Sequence, residues 1–195
     1  MVTERYAVVD VETTGFSSVG DRIVEIACVW IDGNTIVDRW STLVNPGIPI
    51  PSRATEIHGI TDRMVSRAPA LEDVAWQLLR RTQGRLVAAH YAQFDLSFLR
   101  QIGIDTALCT MRLARVLVPE APNHRNQTLR RFLGIDRWID EDLGAHRALD
   151  DAIVSAHILI ACRRRFRPRH CTKSWKRFLR AASLVRTSRV LPRAS

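Results

Sequence analysis

The apolar run Ala7-Val8-Val9 gives way to Asp10-Val11-Glu12, where charged and apolar positions alternate. Period-two alternation marks a strand, and residues 6–11 predict the first. Residues 22–31 (RIVEIACVWI) form a long β-branched run, and Asp32-Gly33-Asn34 is a hairpin signal. Residues 35–44 then pair back as a third strand. Asn45-Pro46-Gly47, with Pro49 and Pro51, reads as irregular connection. Ser52 is placed to cap a short helix running to Glu56. Residues 71–82 change period: Leu71, Val74 and Leu78, with Trp76 and Leu79, supply the core side of an amphipathic helix. Short apolar runs at 85–89 and 106–109 are the fourth and fifth strands. Helices are expected at 90–100, 110–117, 127–133 and 148–165. The order β-β-β-α-β-α-β-α-α predicts an α/β domain, a mixed five-stranded sheet flanked by helices.

The 195 residues, 46% hydrophobic, suit one globular domain. No apolar run reaches the roughly 18–20 residues of a membrane span, and no basic segment with an apolar h-region precedes the first strand. The four cysteines, Cys28, Cys109, Cys162 and Cys171, show no framework spacing. Together these predict reduced thiols in a cytoplasmic protein. Charge divides the chain. Residues 1–160 hold 17 Lys/Arg against 20 Asp/Glu, whereas residues 161–195 hold 12 Lys/Arg and no acid. We therefore expect a mildly acidic domain over 1–165 and a basic tail over 166–195. Such a tail suits a polyanion, nucleic acid first. Within it, Trp175, Phe178, Leu179, Ala182 and Val185 fall on one face of a helix over 174–186. That face could dock on the domain, a replication or repair protein, nucleic acid or an anionic membrane surface. A protein partner or nucleic acid is the expectation.

Asp10 and Glu12 share one side of the first strand. Like charges held together near a buried strand repel and resist leaving water. A divalent cation removes both costs, and oxygen-only donors suit Mg²⁺ or Mn²⁺. Two further acids lie at helix starts. Asp95 follows His90-Tyr91-Ala92-Gln93-Phe94, and Asp151 follows His146 by five residues. Asp150 competes with Asp151, but a helix turns it about 100° away.

Read in order, Asp10-Val11-Glu12-Thr13-Thr14-Gly15, then His90-x-x-x-Phe94-Asp95-x-x-Phe98-Leu99, then His146-x-x-x-x-Asp151, the chain resembles the DEDDh 3′–5′ exonucleases. These share the fold of the proofreading epsilon subunit of bacterial DNA polymerase III and of RNase T. Ile57-His58-Gly59-Ile60-Thr61 and Cys109-Thr110-Met111-Arg112 resemble epsilon-like members too. The resemblance, over residues 5–165, implies a ribonuclease H-like exonuclease fold. It implies Asp10, Glu12, Asp95 and Asp151 as ligands of two divalent ions, Mg²⁺ or Mn²⁺, about 3.5–4 Å apart. It makes His146 the general base. Thr13 and the backbone near Thr14 would meet the terminal nucleotide, and Ile57 and His58 its base and sugar. Phe94 is a stacking candidate as well as a core residue. Tyr91 stands where members often carry Asn.

The function expected is metal-dependent removal of nucleotides from a single-stranded or frayed 3′ end of DNA, in proofreading or repair. The alternatives are a 3′–5′ exoribonuclease and a catalytically idle nucleic-acid-binding or scaffolding module. Four clustered carboxylates argue against the idle module. Gln127-Thr128-Leu129-Arg130-Arg131-Phe132 looks like a sliding-clamp peptide, but its apolar residues fall at helical spacing, which predicts core packing.

Overall fold

The computed structural model describes residues 4–139, 143–166 and 174–186. In chain order the elements are β1 (Arg5–Thr13), β2 (Ile23–Asp32), β3 (Thr35–Leu43), α1 (Ser52–His58), α2 (Asp62–Val65), α3 (Leu71–Thr82), β4 (Leu86–Ala89), α4 (Ala92–Leu99), β5 (Thr106–Cys109), α5 (Thr110–Leu117), α6 (Asn126–Leu133), α7 (Ala148–Arg165), α8 (Trp175–Ser183) and β6 (Leu184–Arg186). Single 3₁₀ turns lie at Arg100–Ile102 and Ile135–Trp138.

The strands form one mixed sheet in the order β3-β2-β1-β4-β5-β6. β1 lies inside it, antiparallel to β2 and parallel to β4. That position explains its apolar character on both faces. Tyr6 and Val8 join the core beneath α5, α6, α7 and α8. Ala7, Val9 and Val11 face the other way, into the core shared with α3 and α4. A smaller cluster of Val24, Ile50, Ala54, Ile60 and Val65 seats α1 and α2 beside the end of β2.

The sheet has six strands, one more than the five expected. The sixth comes from the basic tail: Leu184–Arg186 pairs antiparallel with β5. Three residues are too short to show a period. The expected helix over 174–186 accordingly stops at Ser183, and Val185 enters the α3/α4 core from a strand. The apolar face of α8 is also committed. Phe178 and Leu179 are buried in the core under α5 and α7, and Trp175 packs against it. That face docks on the domain itself, not on a partner or nucleic acid, because the sheet face beyond α5 needs a cover.

Other differences are local. Pro51 holds the N-cap position of α1, and Ser52 is its first helical residue. Trp76 and Leu79 are exposed on α3, whose buried positions are Val74, Leu78 and Thr82. In α6, Leu129 is fully buried and Leu133 packs on the core, whereas Phe132 is exposed. Cys28, Cys109 and Cys162 are buried free thiols, and Cys171 lies outside the described residues. Among the described residues no helix is long and apolar enough to cross a membrane.

Candidate active site at the carboxyl end of β1

β1 and β4 run parallel, and the loops that follow both open at the same end of the sheet, the usual place for a site in such folds. The register of β1 against β2 slips between Glu12 and Thr13, which bends the strand out of the ladder there. The turn beyond is built from its own side chains. Thr13 Oγ1 donates to the Gly15 carbonyl at 2.6 Å. Thr14 Oγ1 donates to Asp21 Oδ1 at 3.1 Å and accepts the Arg22 N–H at 3.0 Å. The Asp21 carboxylate packs over Gly15, where an added Cβ would sit 2.6 Å from it. A larger residue would have to displace that carboxylate from its bonds to Thr14 Oγ1 and the Ser17 N–H.

Three of the expected carboxylates converge. Asp10 and Glu12 from β1 and Asp151 from the first turn of α7 bring one oxygen each to within 4.8 Å of one another. Asp95 comes over the sheet end from α4 and is 3% exposed. It lies outside that group of three but near enough to act on it. Its carboxylate takes a hydrogen bond from the Val11 backbone. Asp150 instead accepts the Gly144 N–H at 2.9 Å and shapes the loop before α7.

The cluster is electrostatically frustrated. Burial, then repulsion from Asp95 and Asp151, holds the Asp10 carboxyl well above the usual carboxylate range. Burial and the Asp151 charge push Glu12 up to about 8. Burial pushes Asp95 up to about 7, against the Val11 hydrogen bond. Asp151 is raised by burial, while its hydrogen bonds from Gln127 and His146 oppose the shift. Clustered hard oxygen donors that resist ionising together fit a divalent cation.

His146 lies on the exposed loop just before α7 with φ +60°, the one non-glycine in the left-handed region among the described residues. Its backbone N–H donates to Asp151 Oδ2 at 3.0 Å, which holds that uncommon conformation. His146 also lines a cleft of about 420 Å³ together with Glu12, Thr13, Thr14, Ile57, His58 and Phe94. Every expected substrate-binding residue is therefore on one wall or another of this cleft. His58 is buried at 4% exposure, and its Nδ1 accepts the Ile60 N–H at 3.0 Å. The ring proton is thus on Nε2, which is buried beside the Thr13 backbone and makes no well-formed hydrogen bond among the described residues. Burial keeps the ring pKa low. Phe94 packs edge-on against Phe16 with centroids 6.3 Å apart, and against Phe98 at 5.2 Å. Tyr91 is exposed at the N-cap of α4. His90 is not in the cleft. It is buried, neutral with a pKa near about 4, and pins β4 to Thr110 Oγ1 and the His124 carbonyl, both at 2.9 Å.

Three contributors were not legible in the pattern. Phe16, 76% exposed at the cleft mouth, is an aromatic in a Gly/Ser loop, a signal that could have found it. Glu25 is a buried acid inside a strand, and its charge marks it out from its apolar neighbours. Gln127, whose Nε2 donates to Asp151 Oδ1 at 2.8 Å, carries no such mark.

Residues 7–159 match the exonuclease family RNase T. The chain belongs to this family. Among its relatives, the PolC-type DNA polymerase III of Caldanaerobacter subterraneus subsp. tengcongensis is 38% identical over 80% of this chain. The match covers 11% of that protein, so this exonuclease spans about a tenth of its length. The epsilon subunit of DNA polymerase III from Aquifex aeolicus is 31% identical over 80% of this chain and 78% of its own. In three dimensions, exonuclease X in complex with 5′-overhanging duplex DNA superposes with a TM-score of 0.69 at 31% identity, over 89% of this chain and 97% of that one. Exonuclease I of E. coli, in its complex with single-stranded DNA, shares the fold at a TM-score of 0.72 and 18% identity, over 86% of this chain and 42% of that one.

Proposed function

We propose that this exonuclease hydrolyses nucleotides one at a time from the 3′ end of DNA, in proofreading or repair. The observation that carries the proposal is the meeting of Asp10, Glu12 and Asp151 at a cleft that Glu12 and His146 line together with an aromatic wall. Kinship with the polymerase III epsilon subunit and with exonuclease X supports DNA as the substrate.

Asp10, Glu12 and Asp151 would hold two divalent ions, Mg²⁺ or Mn²⁺, with Asp95 ligating directly or through water. Bound there, the ions supply stabilisation of the attacking and leaving oxygens in an in-line phosphoryl displacement. His146 would take the proton of the attacking water, because imidazole is the side chain best suited to proton transfer at neutral pH. The exposed loop lets its ring approach the scissile phosphate. Phe94 and Phe16 offer faces on which terminal bases stack. Ile57 and the Nε2–H of His58 meet the terminal nucleotide, and Thr13 and Thr14 shape the turn it rests on. A cleft of about 420 Å³ suits one strand better than a duplex, and the expected substrate is a frayed or unpaired 3′ end.

The tail supplies a second binding surface. With its apolar face docked, α8 turns Lys176 and Arg180 toward a cleft of about 750 Å³, lined also by Glu4, Arg5 and Arg85, at the opposite end of β1 from the carboxylates. Arg5 and Arg85 are paired there with Asp32, so the charge on offer is that of Lys176 and Arg180. Cations there suit the phosphate backbone of nucleic acid.

The test is stepwise digestion of 5′-labelled single strands of DNA and RNA with Mg²⁺ or Mn²⁺, beside Asp10→Ala. Metal-dependent shortening of DNA, lost in the variant, is the expected result. Shortening of RNA alone would make the protein an exoribonuclease. No shortening of either would leave a binding module.

A further inference from the structure

The Asp151 carboxylate is held on both oxygens before any ligand arrives. Gln127 Nε2 donates to Oδ1 at 2.8 Å, and the His146 N–H donates to Oδ2 at 3.0 Å. Gln127 is itself held. Its Nε2 also donates to Asn126 Oδ1 at 3.2 Å, and its Oε1 accepts from Arg130 Nη1 at 3.4 Å. The amide can therefore face only one way, oxygen toward Arg130 and nitrogen toward Asp151. Asn126 Nδ2 anchors the same helix, donating to the Asp151 carbonyl at 3.2 Å and to Ser155 Oγ at 2.9 Å. Arg130 Nη1 also donates to the Leu143 carbonyl at 2.9 Å, at the start of the loop that carries His146. Asp136 fixes the guanidinium from the far side at 2.6 Å.

This arrangement answers a physical problem. The terminal torsion of an aspartate is broad, so nothing intrinsic sets the plane of its carboxylate. Asp10 and Glu12 repel Asp151 and would drive it out toward solvent. A neutral amide at Oδ1 resists that swing. It leaves the second lone pair of each oxygen free and adds no charge to compete with a cation. A lysine or arginine in its place would neutralise the carboxylate instead.

We propose that Gln127, seated by Arg130, is a positioning residue that sets the plane of the Asp151 carboxylate toward Asp10 and Glu12 and so raises the affinity of the site for a divalent cation. Through Arg130 the same helix keeps the His146 loop in register with that carboxylate. The proposal rests on the reading of Asp151 as a metal ligand.

The test is Mn²⁺ binding by titration calorimetry to the full chain stripped of metal, without nucleic acid. Wild type, Gln127→Ala, Gln127→Met and Asp151→Asn are compared. The methionine keeps the length of the side chain and drops the donor, which covers the case of an alanine variant that fails to fold. Loss of the amide is expected to weaken Mn²⁺ binding by about 10-fold to 100-fold. Raising Mn²⁺ restores kcat in these variants, with KM for DNA near that of wild type. If both Gln127 variants bind Mn²⁺ as wild type does while Asp151→Asn does not, the positioning role is wrong and the ligand reading survives. If Asp151→Asn also binds normally, the ligand reading fails and takes the proposal with it. A lower melting temperature with unchanged Mn²⁺ binding makes Gln127 a structural residue only and overturns the proposal.

Discussion

Arg147 forks onto Glu25 across 122 positions of sequence, with Nη2 2.7 Å from Oε1 and Nε 3.1 Å from Oε2. Glu25 Oε2 also accepts the Ala148 N–H at 2.9 Å, so a strand residue caps the N-terminus of α7. Glu25 lies directly opposite Glu12 in the β1/β2 ladder. One ion pair thus fixes the start of α7, which bears Asp151, relative to the strand that bears Asp10 and Glu12.

Removing the arginine should loosen that joint. The Glu25 side chain is 4% exposed and that of Arg147 43%, so water screens part of the pair. Breaking a fully buried pair costs about 3–5 kcal/mol, and a partly exposed one less. Arg147→Ala is expected to lose about 1–3 kcal/mol in urea unfolding, and Arg147→Lys less. Unfolding midpoints equal to wild type would show that α7 is seated by packing alone.

Metal-free protein should weaken as pH rises. Glu12 and Asp95 sit at about 8 and about 7, and Asp10 and Asp151 are also raised. Unfolded, all four titrate near about 4. The folded state therefore holds more protons than the unfolded state between about pH 4 and pH 8, and its stability falls through that window. A bound cation needs those carboxylates ionised, and it relieves their repulsion. The rise in melting temperature between EDTA and Mn²⁺ should be larger at pH 8 than at pH 5. A shift independent of pH would place metal binding elsewhere.

Phe94 faces the cleft from beside Asp95, held edge-on by Phe16 and at a tilt by Phe98. Base stacking is worth about 1–3 kcal/mol. Phe94→Ala should raise KM for single-stranded DNA by about 10-fold or more, with a smaller change in kcat. Phe16→Ala, which leaves the core intact, should do the same without lowering the melting temperature. An unchanged KM in both would make the pair a packing feature.

The basic tail calls for charge reversal, not deletion. Removing residues 166–195 would strip Phe178, Leu179 and Val185 from two core clusters. Lys176→Glu with Arg180→Glu spares them. Binding to single-stranded DNA should weaken, and the slope of log K against log salt should flatten by about 0.7 for each phosphate no longer neutralised. Identical affinity across the salt series would take α8 out of nucleic-acid binding.

The sequence alone determined β1 and the chemistry at its end. Alternation put Asp10 and Glu12 on one side, and charged residues in an apolar strand have few uses besides a cation. It also determined the bounds of α3 and α5 from their amphipathic periods, and those of β5 and α7 from apolar runs closed by a change of residue type. Only tertiary structure decided which residues surround those carboxylates. Gln127, Arg130 and Glu25 act through partners from 13 to 123 positions away, and no local pattern encodes such a partner. The tail was decided there as well. The same apolar stripe on α8 would suit a partner or the domain, and the uncovered face of the sheet beside α5 is what claims it.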